Sequence, residues 1–399
     1  MTEPQVVYPL KHRNGTKAVI MLISSLTVMA GAAIAASTPK LKEAFADLEQ
    51  AEFLSKLVIS LPALFIAVAS PIVGQLIDRY GRLRFLIFGL LLYAVAGTSG
   101  YFLNDINHIL ISRAFLGLSV ACIMPVAVAL IGDFFTGPER ETMTALQGAS
   151  MALGGVVFVG IGGLLADISW RAPFLVYLGS LVFLILVLIF LEEPKIERNQ
   201  SSSKNYFSGL TPIHYFLLGS GLLIMLIFYM IPLQIPFLLK SLGENEMKWI
   251  GLAMMTNTFS SIVTAASYKL VRRYLSFSAI NGLFLIIMAM GFLIIYSADS
   301  YSMVVAGLFV SGLGLGLFMP NFSLWLLEIT PAPIRGKVVG LVSSALFLGQ
   351  FGSPYFIQPL QSADFTLSET FGLAAIVLAA LSASFWIMTV RNSKKAGDA

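Results

Sequence analysis

Charge is scarce in this sequence: only 12% of its 399 residues are Asp, Glu, Lys or Arg, about half the share usual in soluble domains. There is one cysteine, Cys122, in an apolar run, which excludes an intrachain disulfide and cysteine-based metal motifs and leaves packing as its expected role. The three histidines, His12, His108 and His214, fall outside the middle of the apolar runs. No stretch between those runs is long enough to bury a core of its own, so soluble enzymatic and nucleic-acid-binding domains are excluded. The net charge of +4 is therefore not a polyanion-binding signal. Walker loops, metal-ligand clusters and nucleophile–base constellations are also missing. No catalytic residue, metal or cofactor is expected.

Apolar sequence is abundant. Apolar residues make up 57% of the chain and the mean hydropathy is +0.85. Runs of about 20 mostly apolar residues, the length that spans a bilayer, occur at 17–37, 55–77, 83–103, 109–132, 142–166, 171–191, 211–239, 248–269, 277–298, 301–327, 337–360 and 366–390. This pattern predicts an all-α integral membrane protein with twelve transmembrane helices. The Ala33-Ile34-Ala35 step resembles a signal-peptide cleavage site, but the run before it is longer than a signal core, so it is read as helix 1. Most Lys and Arg residues lie on the side of the termini and the even-numbered loops, while Lys40, Lys42, Lys56, Arg171, Lys240 and Lys248 lie opposite. The positive-inside bias then places both termini in the cytoplasm.

The two halves repeat each other at an offset of 195. Met124-Pro125 recurs as Met319-Pro320, Gly117-Leu118 as Gly312-Leu313, and Leu153-Gly154 as Leu348-Gly349. In the loops after helices 4 and 10, Asp133, Pro138 and Arg140 fall on Glu328, Pro333 and Arg335. The chain therefore divides into an N-terminal six-helix bundle (1–191), a charged, serine-containing cytoplasmic linker (192–210) and a C-terminal six-helix bundle (211–399). Two parallel six-helix repeats form one of the transporter layouts whose substrate site lies near the bilayer midplane.

The loop between helices 2 and 3 carries Gly74, Asp78, Arg79, Gly81, Arg82 and Arg84. It resembles the signature G-x-x-x-D-[RK]-x-G-[RK]-[RK]-[RK] of the major facilitator superfamily, with Leu83 as the one departure. Leu270-Val271-Arg272-Arg273-Tyr274 is a degenerate second copy that lacks the acid. Arg113 with Gly117 resembles the family's helix 4 motif. Helix 5 is similar to the antiporter motif of the twelve-helix drug and metabolite exporters. It keeps the terminal Gly162-Gly163 pair, while Phe158-Val159 replaces its Gly-Pro. The resemblance spans the whole chain. It implies alternating access in a functional monomer of the inner membrane, whose partners are a small-molecule substrate and the lipid bilayer.

The signature loop also has a physical reading. Asp78 can accept hydrogen bonds from the free amides that open helix 3, and Gly81 permits the tight turn. Arg79, Arg82 and Arg84 can pair with acids at neighbouring cytoplasmic helix ends; the family resemblance implies Asp133 as a partner, and Arg140, Glu328 and Arg335 are assigned to the same set. By analogy with the family these pairs would form a conformational latch; otherwise they set topology. Gly154, Gly162, Gly163, Pro125 and Pro320 are read as helix-packing or hinge positions.

Arg113 lies within the fourth apolar run, where ionisable residues are costly and mark function by default. Its counterpart at the 195 offset is Leu308, and no acid lies at matching depth in any run. It therefore either attracts an anionic group or is bonded structurally to backbone carbonyls. The remaining substrate or coupling candidates are the uncharged Asn321, Gln350, Gln147, Asn257, Tyr229 and Gln234, each of which can instead bond across helices. Together these features predict a secondary transporter of a small, partly apolar, neutral or anionic organic molecule, such as a drug or a carboxylate siderophore. Proton-linked efflux is the first reading, import or exchange of an anionic nutrient the second, and a non-transporting receptor the third.

Overall fold

The computed structural model describes residues 12–194, 209–331 and 334–397, without the side chains of Asp78, Gly336 and residues 392–397. The expected linker segment 195–208, with its serine run, and Pro333 lie outside the described residues. The chain forms two compact units, Met1–Tyr206 and Phe207–Ala399.

In the first unit the helices are α1 (Arg13–Ala35), α2 (Thr38–Ala44), α3 (Ala51–Tyr80), α4 (Arg82–Ser99), α5 (Ile106–Phe134), α6 (Gly137–Ile168) and, after a 3-10 segment (Ala172–Leu178), α7 (Gly179–Phe190). In the second they are α8 (Pro212–Phe228), α9 (Met230–Ser241), α10 (Met247–Ala266), α11 (Tyr268–Tyr274), α12 (Phe277–Tyr296), α13 (Tyr301–Ile329), α14 (Arg335–Ser362) and α15 (Leu367–Gly397). They account for the twelve expected crossings. The sixth crossing opens as the 3-10 segment, the seventh is broken into α8 and α9, and the eighth continues past a turn into α11. Among the described residues ten segments are long and apolar enough to span by composition. Of the other two crossings, α10 packs on α13 and the Gly-, Ser- and Gln-containing α14 packs on α8.

Local chemistry sets the boundaries. Asp105 caps α5 by accepting the amide of Asn107 at 2.7 Å, and Ser276 caps α12 through Ala279 at 3.3 Å. Gly81, at φ 106°, makes the turn between α3 and α4, a backbone conformation that L side chains avoid. The seventh crossing breaks at Tyr229 because Pro232 has no N–H to offer the carbonyl of Phe228, and Pro236 repeats the loss one turn later.

The duplication is visible in the contacts. At Gly117 of α5 an added Cβ would strike the Pro62 carbonyl of α3; at Gly312 of α13 it would strike the Asn257 carbonyl of α10. Both members of this pair are shifted by 195. Gly89 of α4 lies against Ser119 of α5, and the corresponding approach joins Phe284 of α12 to Gly314 of α13, with the glycine moved to the opposite partner. The helix spacing is thus kept even where its small residue has changed sides. In lipid, where no hydrophobic gain drives helices together, such close backbone approach supplies the packing. The outer surface is apolar, as along α7, where Val182, Ile185, Leu188 and Ile189 are exposed.

Candidate functional site

The end of the first unit that carries the signature loop is built on two carboxylates. Arg82, the first residue of α4, donates through Nε to Asp133 of α5 at 3.0 Å. The backbone amides of Arg82 and Leu83 donate to Glu193 at 2.5 and 2.7 Å. Glu193 therefore occupies the helix start expected for Asp78, whose own side chain lies outside the described residues. A Cβ at Gly81 would meet the Glu193 carboxylate, so both its φ and its surroundings call for glycine. Arg79 lies over the ring of Tyr80, and Arg140 is exposed. A Cβ at Gly74 would meet nothing within 4 Å. A second cluster joins α1 to α6, where Glu139 pairs with both Arg13 and Lys17.

Arg113 is fully buried within the first unit. Its Nη2 donates to the carbonyls of Ala96 and Gly97 in α4, at 3.1 and 2.7 Å, and its Nε reaches Ser112 Oγ at 3.4 Å. The guanidinium lies 4.9 Å from the ring of Phe174 and 5.1 Å from that of Tyr177. Tyr177 and Tyr93 donate in turn to the α1 carbonyls of Ala30 and Leu26, both at 2.8 Å. Of the two readings of Arg113, bonding to backbone carbonyls is the one seen in the structure. Gly117 is pressed against α3, and the guanidinium is enclosed by α4 and the 3-10 segment, because two backbone carbonyls near the end of α4 and two π faces solvate it better than lipid does. Its Nη1 has no hydrogen bond. At the 195 offset Arg113, Gly97 and Tyr177 become Leu308, Phe292 and Gly372, so the second unit fills the same position with apolar atoms.

Of the uncharged candidates, Asn321, Asn257, Gln234 and Gln147 hydrogen-bond across helices. Asn321 of α13 donates to the Phe277 carbonyl at 2.9 Å and to Asn281 at 2.6 Å, and accepts from Tyr268 at 3.2 Å. Asn257 donates to the Leu308 carbonyl and to Ser311 at 2.9 and 2.8 Å. Gln234 accepts from Thr370 at 2.8 Å, leaving its buried Nε2 without a partner. Gln147 makes one bond, to Ser24 at 3.1 Å, and Gln350 makes a weak contact with Met225 Sδ at 3.8 Å. Tyr229 is half-buried at the break in the seventh crossing. Gln147 and Gln350 thus make fewer side-chain contacts than Asn321 and Asn257.

The glycines of α6 divide by environment. A Cβ at Gly154 would meet Ser25, and one at Gly162 the Ala33 backbone, so α6 runs parallel to α1 with the contacts eight residues apart on each helix. Gly163 is buried beside them. Pro125 and Pro320 lie inside α5 and α13, the latter next to Asn321.

Two features are not anticipated by the sequence reading. Lys56 is buried on α3, where Glu52 bridges it to Lys42, both pairs at 2.6 Å. The Glu-to-Lys spacing of four is readable in the sequence, but its burial is not. His214 links Thr211 to Thr330, its Nε2 lying 3.0 Å from the Thr330 hydroxyl. Among the described residues Lys56, Arg113 and His214 are buried while no carboxylate is, and no cluster could hold a metal.

Residues 20–354 match the family model described as Major Facilitator Superfamily. The chain is 33% identical over 138 residues to Multidrug resistance protein 1 of Bacillus subtilis, 34% of this chain and 35% of that protein. It thus spans about a third of that relative's length. It is 22% identical over 347 residues to the Bacillibactin exporter of the same organism, 82% of this chain and 85% of that one. Among solved structures, a D-xylose-proton symporter superposes with a TM-score of 0.77 at 15% identity, over 94% of this chain and 98% of that one. That likeness shows the fold.

Proposed function

The chain belongs to the major facilitator superfamily of transporters, and from that premise we propose that it exports a small, partly apolar, neutral or anionic organic molecule by proton-linked alternating access. A drug or a carboxylate metabolite of the siderophore class fits this description. The observation that carries the substrate charge is the asymmetry of buried ionisable groups. Among the described residues a lysine and an arginine are buried and no carboxylate is. A transporter of lipophilic cations needs a buried acid to offset the cost of desolvating its cargo, whereas positive groups in a low-dielectric interior favour anions. Similarity to an exporter over most of the chain supports the direction. Gln147 and Gln350 are the proposed substrate contacts, because each makes a single side-chain contact, and Tyr229 is proposed with them from its place at the break in the seventh crossing. Arg113 is a proposed positioning residue that fixes α4, α5 and the 3-10 segment.

The reading places a functional monomer in the inner membrane with cytoplasmic termini. Uptake by everted and right-side-out vesicles tests it, with a carboxylate siderophore and a lipophilic cation as competing cargoes. Siderophore accumulation in everted vesicles that depends on an inside-acid gradient is the expected result. Accumulation confined to right-side-out vesicles would replace export with import, and a preference for the cation would remove the charge assignment.

A further inference from the structure

Glu328 of α13 is the counterpart of Asp133, but the position of Arg82 is taken in the second unit by Phe277. The ion pair of the first unit therefore has no equivalent here. Instead Lys269, Arg272, Arg273 and Arg335 surround Glu328 in a cavity of about 620 Å³. Four cations face one carboxylate, and among the described residues none of the five is in an ion pair. Two of the guanidinium groups are held in place by other contacts. Arg272 lies 3.9 Å from the ring of Phe277 and donates through Nη1 to the Leu275 carbonyl at 3.1 Å. Arg335 donates through Nε to the Thr330 carbonyl at 3.1 Å. Both keep N–H groups for a planar or tetrahedral oxyanion, the geometry that suits arginine.

The remaining wall is apolar and accessible. Leu324 and Leu327 line the cavity and are exposed, and Leu270 and Tyr274 are exposed on the short α11 that carries the arginines. Cations at a helix end beside exposed leucines and a tyrosine match the level of the bilayer interface, where headgroups meet acyl chains.

We propose that this cavity binds a phosphate-bearing anion at the membrane surface, with the anionic headgroup of a phospholipid as the source its apolar rim favours. The phosphate would sit among Arg272, Arg273 and Arg335, with the acyl chains over Leu324 and Leu327. None of the proposed substrate contacts lines this cavity.

Native mass spectrometry of the purified, delipidated full chain tests this, titrated separately with phosphatidylglycerol, phosphatidylcholine and soluble glycerol phosphate. Each basic residue near a membrane surface strengthens anionic-lipid attraction by roughly fivefold. Arg272→Gln with Arg273→Gln is therefore expected to weaken phosphatidylglycerol retention by about 25-fold. Phosphatidylcholine should be unaffected, and Arg272→Lys with Arg273→Lys should keep most of the binding. Glycerol phosphate binding as well as the lipid, with the same loss in the Gln variant, would support the phosphate site and assign it to a soluble ligand. Equal retention of the two lipids by the native protein, or unchanged phosphatidylglycerol retention in a monodisperse Gln variant, would overturn the proposal.

Discussion

Arg82 and Asp133 form a 3.0 Å ion pair that ties the start of α4 to the end of α5, and 195 residues later the same two positions hold Phe277 and Glu328. One unit neutralises the acid at the end of its fourth helix within the signature loop, and the other leaves it among cations in a cavity. The pair is mostly shielded, with side-chain exposures of 12% and 16%. Arg82→Gln and Asp133→Asn are each expected to cost about 1.5 kcal/mol, as for a hydrogen bond to a charged group. The double variant should cost less than the sum by about 1 kcal/mol. Thermal unfolding of the four proteins in one detergent measures the coupling. Strict additivity would mean that the two side chains act independently.

A glycine contrast within one helix separates packing from conformational freedom. Gly162 and Gly148 both lie in α6, but a Cβ at Gly162 would overlap the Ala33 backbone, while one at Gly148 meets nothing within 4 Å. Gly162→Ala is expected to force α1 and α6 apart and lower the melting temperature by several degrees, in line with overpacking costs of about 1–3 kcal/mol. Gly148→Ala should be neutral or slightly stabilising, since alanine is the better helix former. Equal behaviour of the two variants would show that α1 and α6 can separate freely.

What could be read from the sequence follows from where the information lies. Twelve crossings and the 195-residue repeat are legible because they depend on hydropathy and self-similarity, whereas Asp133 as a partner for the signature-loop arginines comes from the family resemblance. Glu193 was not legible, since nothing local ties it to amides 110 and 111 residues away. The surroundings of Arg113 were hidden for a different reason. Its acceptors are backbone carbonyls, which every residue has, so only the fold tells which ones are near. The broken seventh crossing could have been found from Pro232 and Pro236, four residues apart within an apolar run.

Asn321 holds three elements of the second unit together through Tyr268, Phe277 and Asn281. Asn281 Nδ2 is already without a partner, so the network has no spare acceptor. Asn321→Leu is expected to cost about 1–2 kcal/mol, the range for polar contacts between membrane helices. It should also loosen α11, which thermal unfolding and hydrogen exchange of 268–274 would report. Unchanged protection of that segment would remove Asn321 as its anchor.

Arg113 offers a kinetic test because the second unit supplies its own control. Leu308 occupies the equivalent place, so Arg113→Leu should still fold. The guanidinium is fully enclosed, so neither Arg113→Leu nor Arg113→Lys is expected to change KM for an anionic substrate by more than about twofold. The turnover rate should fall about tenfold in both variants, because lysine cannot span the two α4 carbonyls and both rings. Transport into proteoliposomes separates the two parameters. A raised KM with an unchanged rate would return Arg113 to direct substrate contact.

Lys56 and Glu52 are expected to respond asymmetrically. Lys56 is almost wholly buried, with 2% side-chain exposure, whereas Glu52 is 26% exposed and also bridges to Lys42. Removing the acid leaves a buried cation without its ion-pair partner, while removing the buried cation leaves an acid that still has Lys42 and partial access to water. Glu52→Gln is therefore expected to destabilise by on the order of 3 kcal/mol. Lys56→Met, which keeps the side chain's length and adds no charge, should cost less than about 1 kcal/mol or stabilise the fold, as apolar replacement of buried ions often does. Thermal unfolding ranks the two directly. If Lys56→Met proved the more damaging, the ammonium would be contributing more than an offset charge, and the pair at the start of α3 would become a candidate for proton coupling.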